Sequence, residues 1–228
     1  MTKVWGVHMP EWVGDDPIEH SYVYIGWPRL GDILKLPANR EAFKLSLAEA
    51  YPEKKAGAIP VDAGTLFRFA HEIENGDWIV FPSKHNRMVN IGQATGKRWY
   101  QPEPENEDDD LPNCLGVKWL GHFPRSDFSQ AALNEIGSFI TLFRVREHAG
   151  EFLKTIGGRK SVEPIDGDEA LPVSDDVASQ TASQLAEENA QDFIIRRLHT
   201  TLSGYEFEHF TAHLMECLGY TARVSEKS

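Results

Sequence analysis

Cysteine is nearly absent from this chain: two residues in 228, Cys114 and Cys217, far apart. That excludes a disulfide framework and a zinc site built on cysteine. Two isolated thiols fit a reducing compartment and read as small hydrophobes. There is no apolar run long enough to cross a membrane, and nothing at the start reads as a signal peptide. The expectation is a cytoplasmic protein with no membrane partner. The nine histidines show no ligand spacing. His209 and His213 stand at i, i+4 without an evident carboxylate or cysteine partner, so no metal site is expected. Tryptophan is missing after residue 119, and basic residues are missing from two stretches, 101–110 and 161–191.

Those two stretches explain the net charge of −12. Residues 101–110, "QPEPENEDDD", hold 6 acids, and residues 161–191 hold 8. With both set aside, basic side chains slightly outnumber acidic ones. The acidity belongs to solvated loops or linkers, so a polyanionic partner is not excluded.

What is present reads first as mixed α and β. "KVWGVHM" and "SYVYIGW" are β-branched and aromatic between Pro and Gly, which predicts strands. "ANREAFKLSLAEAY" predicts a helix capped by Asn39, with Phe43, Leu47 and Ala50 on one face. "DAGTLFRFAHEIENG" predicts a second, stopped at Gly76. Three strands follow: "GDWIVFPS", "RMVNIGQATGKRWY" and "LGVKWLGHF". Gly92 and Gly96 mark a bulge or bend in the second. "SQAALNEIGS" and "REHAGEFLKTIGG" predict two short helices that close a unit at residue 157.

Residues 158–190 are acidic, rich in Ser, Ala and Pro, and lack aromatics, the composition of a linker. Its last third can continue as a frayed helix into "QDFIIRRLHTTL". The tail, 191–228, then shows Ser203 and Glu206 at capping-box spacing, and an apolar stripe of Phe207, Phe210, Leu214, Met215 and Leu218. Gly219 stops that helix and "YTARVSE" alternates like a strand. Helix, glycine, strand is the opening of an α/β domain. Such a short piece does not make a domain alone, so the chain reads as the front of something longer.

The tail "LSGYEFEHFTAHLMECLGYTARVSEKS" resembles the opening of the catalytic domain of Mrr-type restriction endonucleases, in its Phe-Glu pair and Leu-Gly-Tyr before a strand. The front, through "YIGWPRLGDI", "GDWIVFPSKHNRMVNIGQATGKRWY" and "VKWLGHF", looks like the EVE-like branch of the PUA superfamily. The resemblance implies an α+β fold: a small, curved, mostly antiparallel sheet or partial barrel with flanking helices over 1–157. A linker and the first helix and strand of an α/β nuclease would follow. It also implies a reader that flips a modified, methylated base of double-stranded DNA into an aromatic pocket. Such a reader would direct an Mrr-like endonuclease of a type IV, modification-dependent defence enzyme against phage and other foreign DNA. The full-length enzyme would use Mg²⁺ and can act as a homodimer. The family's metal-binding Asp and Glu/Gln-x-Lys would follow Ser228, so this chain is expected not to cut DNA. An RNA-binding PUA-like module, or a protein-interaction domain, is the alternative.

A base reader needs flat faces for stacking and a few polar groups for the base edge. All six tryptophans, Trp5, Trp12, Trp27, Trp78, Trp99 and Trp119, lie in the first 120 residues. Trp27 ends a strand before Pro28, a pocket-rim position. Trp5 and Trp99 are further stacking candidates, whereas Trp78 and Trp119 read as core. Asp32 can accept from a base amino group or cap a turn. Ser83 and Lys84 follow a strand and can contact base edge and phosphate. "GKRWY" interleaves Lys97 and Arg98 with Trp99 and Tyr100, which suits a backbone-plus-stacking surface or a solvated strand face. Glu208, the Glu of the Phe-Glu pair, is matched to an accessory carboxylate of the nuclease.

Overall fold

The computed structural model describes residues 2–102, 111–137, 140–157 and 175–224. Most of the acidic loop (103–110) and the front of the expected linker (158–174) lie outside them. The chain divides into two units, Met1–Leu185 and Ala186–Ser228.

The first unit is α+β. Its strands are β1 (Val4–Val7), β2 (Tyr22–Ile25), β3 (Trp78–Pro82), β4 (Met88–Tyr100), β5 (Asn113–Pro124) and β6 (Leu142–Arg144). They form one mixed, open sheet in the order β2-β5-β4-β3-β1-β6. β1 runs parallel to β3, and every other pairing is antiparallel. The helices are α1 (Asp16–Glu19), α2 (Arg40–Ala50), α3 (Ala58–Phe67), α4 (Gln130–Ile136) and α5 (Ala149–Thr155).

Alternation along the strands decides the layering, because successive side chains point to opposite faces. Ile79 and Phe81 of β3 join Trp5, Phe43, Leu47, Leu66 and Phe69 in one core, beneath α2 and α3. Val80, between them, joins Val4, Ile91, Leu133, Phe152 and Leu153 in a second core, beneath α4 and α5. The sheet is therefore covered on both faces.

Local signals hold well. Asn39 Oδ1 accepts from the Ala42 amide at 2.8 Å and starts α2. Ser129 caps α4 in the same way. α3 begins at Ala58, ahead of the expected Asp62, because Pro60 is tolerated in a first turn where its missing N–H is not needed. α3 then widens into a π turn over Arg68–Glu72. β6 was not expected: three residues are too short for a periodic signal, and antiparallel pairing with β1 makes the strand. The β4–β5 register shifts at Ile91/Gly92 and at Ala94/Arg98, where the two glycines mark a bend. A Cβ on Gly92 would lie 2.7 Å from the Lys118 carbonyl oxygen, and Gly96 has φ +74°.

α6 (Asp175–Thr201) is one continuous helix, so the helix expected over the last third of 158–190 and on through "QDFIIRRLHTTL" forms, and it begins at Asp175. The stretch from Asp175 to Ser203 has no Pro or Gly to break it. In the second unit, α7 (Gly204–Cys217) starts on the expected capping box, Ser203 N donating to Glu206 Oε2 at 2.8 Å. It ends as expected at Gly219, φ +88°. There the Gly219 amide donates to the Glu216 carbonyl and the Tyr220 amide to that of Met215, closing a Schellman motif. The expected strand does not form: residues 221–224 have no regular structure and 225–228 lie outside the described residues. A strand needs a hydrogen-bonded neighbour, and the described residues of this unit contain only helices.

Candidate functional site

A cavity of about 440 Å³ opens in the first unit. Its lining comes from the ends of several strands: His8 and Met9 after β1, Trp27 after β2, Lys84 after β3, Leu111 before β5 and Thr141 before β6. Tyr51 and Lys54, just past α2, complete the wall, with Tyr24 and Ile25 of β2. The pairings make β1 and β2 run in opposite directions, so their C-terminal ends would lie at opposite edges of a flat sheet. One cavity nevertheless takes residues from both ends, and the β4–β5 pairing between them carries two register shifts, the kind of irregularity that bends a sheet.

Trp27 lines the cavity in the left-handed region, φ 64° and ψ 56°. A bulky residue there is strained, and it persists only when its surroundings hold it. Its indole Nε1 donates to Asp62 Oδ2 at 3.2 Å. Lys54 Nζ lies 2.5 Å from the same oxygen and 5.6 Å from the centre of the Trp27 ring. The Tyr51 hydroxyl accepts from the Arg29 amide at 3.0 Å. Asn113 accepts from the Ile33 amide and donates to the Gly31 carbonyl, both at 3.1 Å. The loop from Trp27 to Ile33 is thus tied down at both ends.

His8 lines the same cavity. Its Nε2 is 2.7 Å from the Ile136 carbonyl oxygen. Burial, with the positive charges of Lys84 and Arg125 nearby, drives its pKa down to about 4. The ring is therefore neutral at neutral pH. Tyr24 is held protonated: burial raises its pKa, and the Asp16 carboxylate adds to the effect.

The cavity brings together Trp27 and Lys84 of the expected residues. Ser83 is next to it but buried, its Oγ accepting from the Asn86 amide at 3.4 Å as part of a turn. The others are placed elsewhere. Trp5 is fully buried in the core, its Nε1 donating to Asp77 at 2.9 Å, and it has no face to offer a base. Asp32 is a cap: its carboxylate accepts from the Leu34 amide at 3.1 Å and lies 3.5 Å from Lys35. Arg98 turns inward and donates to the carbonyls of Phe69, Gly96 and Ile73, closing off the π turn. Burial lowers its pKa. Trp99 packs edge-on against Tyr22, with Lys97 5.5 Å from its ring, and Tyr100 pairs with Asn113 at the end of β4. None of these six residues lines the cavity.

In the second unit Glu208 is exposed on α7. His213 does have a thiol neighbour, Cys217 Sγ at 3.8 Å, but among the described residues no group of three ligating side chains assembles. No helix among the described residues is long and apolar enough to cross a membrane.

The model of a family described as a domain of unknown function, DUF8426, matches residues 8–146. The chain belongs to the DUF8426 family. No curated protein matches it. The DUF8426 region starts at His8 and ends five residues past Thr141, so it holds every residue of the cavity wall.

Sequence reasoning missed His8, Tyr51, Lys54 and Asp62. One signal was readable for His8: "VHMP" repeats the plan of "IGWP", a strand that ends before a proline. Lys54 and Asp62 reach Trp27 only through the packing of α2 and α3 against the loop.

Proposed function

We infer that the first unit is a reader of a modified base in double-stranded DNA, held flipped out of the stack against Trp27. The cavity carries this reading. Its volume is in the range of small-molecule sites, its wall is largely apolar, and two lysines line it. An indole fixed by a carboxylate offers a preset stacking face, and Lys54 and Lys84 suit the phosphates on either side. The likeness of the front to EVE-like domains supports the same reading. The likeness of α7 and its Leu-Gly-Tyr end to Mrr-type enzymes supports a defence role, in which the reader brings an Mg²⁺-dependent endonuclease, cytoplasmic and dimeric, to foreign DNA.

The experiment is a binding titration of the chain with one duplex sequence, methylated or not, and with its RNA counterpart. The reading expects methylated DNA to bind tightest and Trp27→Ala to remove that preference. Equal binding of all three, or RNA bound best, overturns it.

A further inference from the structure

Among the side chains that line the cavity, His8 has a hydrogen-bonding character fixed by its neighbour. A carbonyl oxygen only accepts, so the 2.7 Å contact between His8 Nε2 and Ile136 places the proton on Nε2. Nδ1 is then a bare acceptor. No described residue hydrogen-bonds to it. The cavity is the open space that the ring adjoins. Phe143, with ring centres 5.3 Å apart, restricts the imidazole from the other side.

We propose that His8 is the specificity-determining residue of the cavity, accepting a hydrogen bond from the exocyclic amino group of a methylated cytosine or adenine. The proposal rests on the base-reading function above and names the class of base. An amino group projects a free N–H from the ring edge toward Nδ1. A keto base puts an oxygen there, and two lone pairs then face each other without water between them. That mismatch discriminates strongly, because a site built for a donor leaves its acceptor unpaired with the wrong ligand. Met9, Ile25 and Leu111 supply the apolar wall for the methyl group. The imidazole stays neutral at physiological pH, so the acceptor is retained.

The test uses matched pairs. The full chain is titrated by fluorescence anisotropy with one duplex sequence carrying a single base opposite an abasic site, so that extrusion costs are similar. The bases are 5-methylcytosine against thymine, N6-methyladenine against hypoxanthine, and plain cytosine and adenine. The amino member of the preferred pair should bind at least about tenfold tighter than its keto partner. His8→Phe, which fills the space without an acceptor, should erase that ratio. His8→Gln, which keeps an acceptor, should recover part of it. A keto base bound as tightly as its amino partner overturns the proposal and leaves base reading intact. If neither methylated base exceeds plain cytosine or adenine, base reading itself fails and the assignment of His8 falls with it. The comparison between bases in the unaltered protein decides the matter even where a variant does not fold.

Discussion

Trp27 and Lys54 meet at a single oxygen, Oδ2 of Asp62, with the indole nitrogen at 3.2 Å and the ammonium at 2.5 Å. One carboxylate on α3 therefore sets both the stacking face and the nearest cation of the cavity. Asp62→Ala should leave the indole unanchored and the lysine free to turn outward. Affinity for methylated duplex should fall by about 1–3 kcal/mol, the scale of a charge-assisted hydrogen bond, with the fold preserved. Asp62→Asn should lose less, because its side-chain oxygen still accepts from the indole. Anisotropy titrations with circular dichroism controls check both. Equal losses from the two changes would mean that charge matters and anchoring does not.

The backbone of Trp27 makes a separate prediction. At φ 64° a residue with a Cβ is strained, and glycine is not. Trp27→Gly should be more stable than Trp27→Ala by about 1 kcal/mol in urea denaturation, although it removes more atoms. Both should lose about 1–3 kcal/mol of binding to methylated DNA, the worth of one stacked base. An alanine variant as stable as the glycine variant would show that the loop relaxes out of the left-handed conformation.

"GKRWY" divides into two roles. Arg98 satisfies carbonyls at the end of the π turn, so Arg98→Ala should cost about 2–4 kcal/mol of stability, mostly from carbonyls left unpaired. Binding by the folded variant should not change. Lys97 is exposed, and Lys97→Ala should leave stability alone. If duplex DNA runs along β4, that change should weaken methylated and plain duplexes alike and flatten the salt dependence by about one unit. An unchanged salt slope would remove β4 from the DNA path.

His8 couples the cavity to acid. Its pKa is about 4 folded and near 6.5 unfolded. Above pH 6.5 both states are neutral and stability is complete. As pH falls from 6.5 toward 4, the unfolded chain takes up a proton that the folded one refuses, so stability should decline, by at most about 3 kcal/mol. Lys84 and Arg125 push in the same direction. His71, whose pKa is lowered by burial and then by Arg98, adds to the slope with the same sign. Chemical denaturation of His8→Gln across this range should show a shallower decline. The same slope in both proteins would assign the effect elsewhere.

Close packing at Gly6 gives a last test. Gly6 pairs with Phe143 across β1 and β6, and a Cβ there would lie 2.1 Å from the phenyl ring. Gly6→Ala should displace Phe143 and cost about 1–3 kcal/mol. Because Phe143 also packs on His8, the variant should bind methylated DNA less well. Gly6→Ala with Phe143→Ala should recover much of the strain, and a calorimetric melt of the three variants checks it.

The elements were legible where a local signal specified them. Asn39, Ser203, Gly219 and the glycines of β4 each act on their neighbours within a few residues, and each performs as its type predicts. The parallel pairing of β1 with β3 was not legible, because nothing local marks which distant strand lies beside it. The site divides in the same way. Trp27 was visible as a strand-end aromatic before proline. Asp32, equally suggestive by position, caps its own turn, and two acceptor roles look alike in sequence. Trp5 and Arg98 were misread because an aromatic or a guanidinium in a strand carries no sign of which face it takes. Lys54 and Asp62 became part of the site only when two helices were set against the loop.

The cavity wall is drawn from His8 at one extreme to Thr141 at the other. Contacts so far apart in sequence close late, since the intervening chain must first be ordered. β1 can pair with β3 as soon as residues 78–80 are made, but its pairing with β6 and the wall at Thr141 wait for residues 141–144. On the proposed reading, binding competence therefore waits for the last residue of the wall, and a shortened product that stops before Thr141 carries Trp27, His8 and both lysines without a complete pocket.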